Sequence, residues 1–497
     1  MSIHEPNLTR LGPDTATAEP STGLRGRMGA SMLAFMVLAC LSPLTGAAGY
    51  IGLGIATGNG IGVPFMYLLV GLALLFFAVG YVALIRRIAR PGGFYAYVTA
   101  GLGKRVGLGG AFLTVSTYLL TTIGLVTFCG ITLSGTLESM FGIPNVQWWI
   151  CAIPFLAVTA VLSYFNVAVS ARFLCVILVI EVAIVLFFDL VVAHRGGPSG
   201  ISADSFTYSS LMSGNTALAF LYALSVYSGF ESAALYYEEV RDPQRTISRA
   251  TYAVVIAIGL FYTVTSWMFI TAFGSRDAVA AISSDYSNAF GRAVQLYLGT
   301  AMHDVMNLVL LTGLLASLLS SNNLLARYAF SLGVDRVTPT YFGQAHPKHG
   351  SPARAATLVH GALFVGLILL AITRTSANDV LALTASAGMY GFLLMFLLVA
   401  VTVLVYFIRN PESTLTGRIS TFVSPLVSIV IFAVAAVYVA KNFDLIIGDH
   451  PALTVLLQVI IYSSFVVGVA YASYLAIARK HVYARIGRMD FETEVSF

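Results

Sequence analysis

Charge is what this sequence has least of. Asp, Glu, Lys and Arg make up 10% of its 497 residues, against 58% hydrophobic residues, and that is less than half the charged share usual for soluble domains. A soluble fold cannot hide so much apolar surface. Paired cysteines are also missing: Cys40, Cys129, Cys151 and Cys175 fall inside apolar runs with no ligand-like or disulfide-like spacing, and they read as small buried hydrophobes. Phosphate-binding motifs are missing as well, since Gly58-Asn59-Gly60-Ile61-Gly62 and Gly101-Leu102-Gly103-Lys104 complete neither a Walker nor a dinucleotide pattern. With no ATPase module, catalytic triad or metal-ligand cluster, the sequence argues against an enzyme and calls for no cofactor. Its net charge of +5 needs no nucleic-acid partner.

What it has instead is long apolar runs, such as Val63 to Leu84, Phe173 to Val192 and Leu381 to Tyr406, each able to cross ~30 Å of hydrocarbon as a helix. About twelve spans are expected: residues 31–57, 63–88, 107–137, 146–168, 171–194, 214–239, 250–274, 301–330, 353–373, 378–407, 420–441 and 452–478. The partner on all sides is membrane lipid. Lys and Arg test the count, because they collect in cytoplasmic loops. With the N-terminus inside, 22 of the 27 basic residues fall on the inner side, and only Arg195, Arg276, Arg292, Arg374 and Lys441 fall outside. This places the protein in a cell membrane with both termini cytoplasmic. The first 27 residues are polar and rich in Pro, Thr, Ser and Gly, so residues 1–28 are expected to form a disordered tail. The first apolar run exceeds a signal-peptide core and many more follow, so no cleavable signal is expected.

Two spans make poor helices at their centres. The first reads Leu41-Ser42-Pro43-Leu44-Thr45-Gly46-Ala47-Ala48-Gly49-Tyr50; its proline removes a backbone bond and its glycines favour unwinding. The sixth reads Tyr222-Ala223-Leu224-Ser225-Val226-Tyr227-Ser228-Gly229-Phe230-Glu231-Ser232. Each alone is open to a plainer reading, because small residues also let membrane helices pack closely. Their starts are five spans apart, so they cross the bilayer in opposite directions. That is the relation of inverted repeats, in which paired discontinuous helices frame a midplane site. Interrupted helices offer amide donors at one half-helix start and carbonyl acceptors at another half-helix end. A zwitterion suits such a pair.

Three stretches then resemble one family. They are Gly229-Phe230-Glu231-Ser232-Ala233-Ala234 with Glu238-Glu239 and Arg241-Asp242-Pro243-Gln244-Arg245-Thr246-Ile247; Gly92-Gly93-Phe94-Tyr95-Ala96-Tyr97-Val98 with Gly101-Leu102-Gly103; and Asn323 through Pro339 followed by His346-Pro347 and Ser351-Pro352. Together they are similar to signatures of the amino acid-polyamine-organocation superfamily, over roughly residues 30–480. The resemblance implies an all-α membrane fold like that of the leucine transporter, with two inverted five-helix repeats, discontinuous helices 1 and 6, and two peripheral helices. On this sequence the core would span residues 29–410, with repeats at about 31–194 and 214–407, the peripheral pair at 411–480 and a cytoplasmic tail at 481–497. It implies a permease for an amino acid or related small amine, by proton symport or, alternatively, by exchange. The oligomeric state stays open. A substrate-sensing receptor on the same scaffold would need an output domain that the short tails leave little room for.

By that similarity the substrate's charged groups would meet Thr45, Gly46, Ala47, Ala48 and Gly49 in the first break and Ser225, Tyr227, Ser228 and Gly229 in the sixth span. Tyr118 would present a hydroxyl from the third span, with Thr121 and Thr122 nearby, and Glu231 would be a gate. Charged groups in mid-span are functional candidates by default. Glu181 lies near the centre of span five, where some proton-coupled relatives carry a lysine; a desolvated carboxylate there can take up and release a proton, although a hydrogen-bonded packing role stands beside that reading. Ser317, Ser320 and Ser321 offer a sodium site, ranked behind the proton because serine more often bonds its own helix. Glu238 and Glu239 beside Arg241 suggest solvated ion pairs. Asp189, His303 and Asp304 are expected in the outer interface, and His360 in a structural role.

Overall fold

The computed structural model describes residues 29–88, 93–144, 146–165, 171–231, 240–443 and 451–487. Among these, helices carry the architecture and there is no strand. The first span is assembled from α1 (Ala30–Leu41), α2 (Pro43–Gly46), a π turn (Ala47–Ile51) and α3 (Gly52–Thr57). Next come α4 (Val63–Ile88), the short α5 (Gly93–Leu102), α6 (Lys104–Phe141), α7 (Trp148–Tyr164) and α8 (Ala171–Arg195). The second half holds α9 (Tyr208–Leu211), α10 (Thr216–Ser225), α11 (Pro243–Phe273), α12 (Ala278–Ser283), α13 (Ala289–Leu298) and α14 (Thr300–Val334). It ends with α15 (Ala353–Thr373), α16 (Ala377–Arg409), α17 (Leu415–Arg418), α18 (Ser424–Lys441), α19 (Pro451–Ala478) and α20 (Lys480–Arg485).

Ten helices among the described residues are long and apolar enough to cross a membrane. The expected fourth and sixth spans appear as the shorter apolar helices α7 and α10. Residues 232–239, which would continue the sixth span and contain Glu238 and Glu239, lie outside the described residues, as do the expected tail 1–28 and residues 488–497. Helix starts follow capping chemistry: the Asn215 side chain accepts from the Leu218 amide at 3.1 Å to open α10, and the Ser376 hydroxyl accepts from the Asp379 amide at 3.1 Å to open α16.

Glycines let the helices meet. A Cβ on Gly391 of α16 would lie 2.2 Å from Thr117 Oγ1 of α6, so that close approach requires glycine. Around the middle of the bundle, Phe77, Phe230 and Phe396 pack with centroids 5.2 to 6.1 Å apart. This wall fixes the residues just after the sixth-span break. The outer surface keeps large apolar side chains exposed, Val179, Leu190 and Val365 among them, as lipid contact demands.

Candidate functional site

The first break lies earlier than the glycines suggest. Ser42 takes a left-handed conformation (φ 47, ψ 86) and closes α1 by donating its amide to Leu38 O at 3.1 Å; Pro43, which has no amide to satisfy, starts α2. Gly46 stays helical, and Ala47 to Ile51 form the π turn rather than an unwound strand. Proline at the first helical position explains the shift, because it ends one helix and begins the next.

A buried carboxylate holds this break. Glu181 of α8 is 1% exposed; its Oε1 accepts from Ser42 Oγ at 2.8 Å and its Oε2 from the Leu44 amide at 3.3 Å. It thus caps α2 from another helix, matching the partial positive charge at a helix start. The Ser42 and Thr45 hydroxyls lie 2.7 Å apart, forming a polar chain from Glu181 to Thr45. Tyr262 of α11 donates its hydroxyl to Pro43 O at 3.0 Å. Gly313 of α14 crosses so closely that a Cβ there would come within 2.0 Å of Glu181 Oε1. Sequence reasoning missed Ser42, Tyr262 and Gly313; only the Ser-Pro pair carried a local signal.

The sixth-span break is a run of tight turns. Leu224 O accepts from the Tyr227 amide, Ser225 O from Ser228 and Tyr227 O from Phe230, each at 3.1 or 3.2 Å. Gly229 has φ 113, and a Cβ there would sit 2.8 Å from Leu41 of α1, so the position requires glycine. Glu231, 6% exposed, folds back: its Oε2 accepts from the Gly229 amide at 2.8 Å and its Oε1 from the Tyr118 hydroxyl at 2.6 Å.

Between the breaks lies a cavity of about 210 Å³. Thr45, Gly46 and Tyr50 line it from the first span, and Ser225, Ser228 and Gly229 from the sixth. Tyr118 and Thr121 of α6 and Tyr262 of α11 close the sides. Along α14 the wall runs from Ser317 through Ser320 and Ser321 to Arg327, roughly 15 Å at the helical rise. Ala47, Ala48, Gly49 and Tyr227 are not part of this wall. Ala48 borders a second cavity with Glu138, Asn288 and His303, Gly49 faces Phe128, and Tyr227 donates its hydroxyl to Tyr67 O at 3.2 Å.

Other ionisable groups find structural partners. Asp189, expected in the interface, is 4% exposed and accepts from Thr265 Oγ1 at 2.8 Å, because α11 covers that face of α8. His360 bonds Ala356 O through Nδ1 at 2.8 Å and meets Asn322 Nδ2 through Nε2 at 3.2 Å. No group of three or more potential metal ligands occurs among the described residues.

Comparison with known proteins gives this geometry a setting. The sequence profile described as amino acid permease matches residues 30–471. The low-affinity putrescine importer of Escherichia coli is 25% identical over 357 residues, covering 70% of this chain and 75% of that protein. The L-asparagine permease of Salmonella typhimurium is 24% identical, covering 68% and 70%, and the D-serine/D-alanine/glycine transporter of Escherichia coli is 24% identical, covering 74% and 80%. Among solved structures, a mutant of the manganese transporter of Eremococcus coleocola superposes with a TM-score of 0.55 at 13% identity, covering 93% of this chain and 99% of that one; this bears on the fold alone. The profile match over most of the chain places it in the amino acid permease family of the amino acid-polyamine-organocation superfamily, a family of multi-pass membrane transporters and not of enzymes.

Proposed function

We propose that this chain is a proton-coupled symporter of an amino acid or related small amine, working by alternating access around the cavity between the two breaks. The relatives' names, an importer of putrescine, a permease for L-asparagine and a transporter for D-serine, D-alanine and glycine, support that substrate range. The proposal places both termini in the cytoplasm, so the Arg327 end of the cavity faces inward, and it assigns residues 29–410 to the transport core with 411–480 peripheral.

The observation that carries the coupling is the Glu181 contact with Ser42 and Leu44. An ionised carboxylate only accepts hydrogen bonds, which suits both donors. A proton arriving on either oxygen turns it into a donor, so one of the two bonds breaks or the Ser42 hydroxyl reverses towards Thr45. Either change loosens the cap on α2 at the cavity wall, and the substrate's charged head would sense it through Thr45 and Gly46. Glu231 acts as the gate on the opposite wall, held by Tyr118 and Gly229.

Uptake into proteoliposomes tests this, with and without a pH gradient and with and without internal substrate. Glu181→Gln should abolish gradient-driven accumulation while leaving exchange of labelled for unlabelled substrate. Accumulation that survives the substitution would remove Glu181 from coupling. A strict need for internal substrate would make the protein an exchanger, and accumulation that requires sodium would move coupling to the α14 serines.

A further inference from the structure

We infer that the cavity selects substrates without net positive charge, taking an amino acid zwitterion in preference to a diamine or a cationic amino acid, and that Arg327 sets this selection. The inference rests on the transport reading above and narrows its substrate class.

Among the described residues no Asp or Glu lines the cavity, and the one charged lining residue is Arg327. Arg327 is exposed, and among the described residues its side chain has neither an ion-pair nor a hydrogen-bond partner. A guanidinium carries a full, delocalised charge, and a cleft with low-dielectric walls focuses such a field. The two acids nearest the breaks are buried, Glu181 1% and Glu231 6% exposed, and neither lines the cavity. Glu231 Oε1 and Oε2 are engaged by Tyr118 and Gly229, and Glu181 Oε1 and Oε2 by Ser42 and Leu44. An ammonium in the cavity would have to pass behind the wall to reach either carboxylate.

A zwitterion needs neither carboxylate. Its ammonium is served by carbonyl and hydroxyl oxygens around the breaks, and its carboxylate shares the cavity with a cation at the Arg327 end. A diamine brings a second ammonium and no carboxylate, so one charge meets only neutral dipoles while Arg327 repels it. Arg327 thus acts on specificity at the mouth, away from the head-group contacts at Thr45 and Gly229.

The test uses the reconstituted full chain with labelled alanine, asparagine, lysine and putrescine. Alanine or asparagine uptake should exceed that of lysine and putrescine by about tenfold or more, a difference of 1.4 kcal/mol per decade. Arg327→Gln and Arg327→Glu should raise the lysine-to-alanine ratio by about tenfold, and Arg327→Lys should keep the wild-type ratio. Wild-type uptake of putrescine or lysine on a par with the zwitterions overturns the inference while leaving the transport reading intact. A ratio unmoved in a folded Arg327→Gln protein overturns the role of Arg327. Thermal shifts with the same four compounds read selection without transport: stabilisation by putrescine but by neither zwitterion overturns the inference even in a protein that moves nothing.

Discussion

Tyr118 does two jobs with one ring. It lines the cavity, where the sequence suggested a substrate hydroxyl, and it also donates to Glu231 Oε1 at 2.6 Å. Tyr118→Phe would keep the ring, which packs edge-on against Phe392 at 4.9 Å, and remove only the donor. Glu231 would then hold a buried oxygen with no partner, at a cost of roughly 1–3 kcal/mol. The expected result is a lower melting temperature together with reduced uptake. Adding Glu231→Gln should recover part of the stability, because an amide demands less than a carboxylate. If Tyr118→Phe melts and transports like wild type, the bond does not position the gate.

At the scale of elements, the join between α2 and α11 is set by the missing side chain of Gly46. A Cβ there would fall 2.0 Å from Tyr262 Oη, and Tyr262 donates that hydroxyl to Pro43 O. Gly46→Ala should therefore push Tyr262 aside, break its bond to α2 and cut uptake by about tenfold or more, at an overpacking cost of roughly 1–3 kcal/mol. The clash shares its cause with the tyrosine, so Gly46→Ala combined with Tyr262→Leu should be no worse than Tyr262→Leu alone; strictly additive losses would refute the steric account. The sequence made much of this level legible. Pro43 and Gly229 announced the two interruptions. What it left unread was long-range: Glu181 and Ser42 stand 139 positions apart, and nothing near either names the other. Asp189 was read as solvated, and only the packing of α11 on α8 shows that its carboxylate turns inward to Thr265.

For the molecule as a whole, a C-terminal strap ties together segments far apart in the chain. Tyr95 of α5 donates its hydroxyl to Asp335 Oδ2 at 2.7 Å, and the Gly487 amide donates to the same oxygen at 3.1 Å. Lys104 at the start of α6 donates to Ala484 O at 2.5 Å, and Val482 and Ile486 are buried in a cluster with Tyr95, Leu108 and Val337. Asp335, just beyond α14, is 2% exposed. Burial pushes its carboxyl up from 3.8 to about 6, against the lowering effect of Tyr95, Gly487, Arg485 and Lys104. A carboxyl raised in the folded state binds its proton more tightly there than in the unfolded chain. The native state therefore has the advantage below pH 4 and loses stability as pH rises from about 4 to 6, by something on the order of 3 kcal/mol at most. Asp335→Asn retains an oxygen for both donors and removes the ionisation. Its melting temperature should meet that of wild type near pH 4 and stand above it at pH 7.5, and protease should cut the strap more slowly in the variant at the higher pH. A wild type that is the more stable of the two at pH 7.5 would mean that the ionised carboxylate, held by Tyr95 and Gly487, is the form the strap prefers.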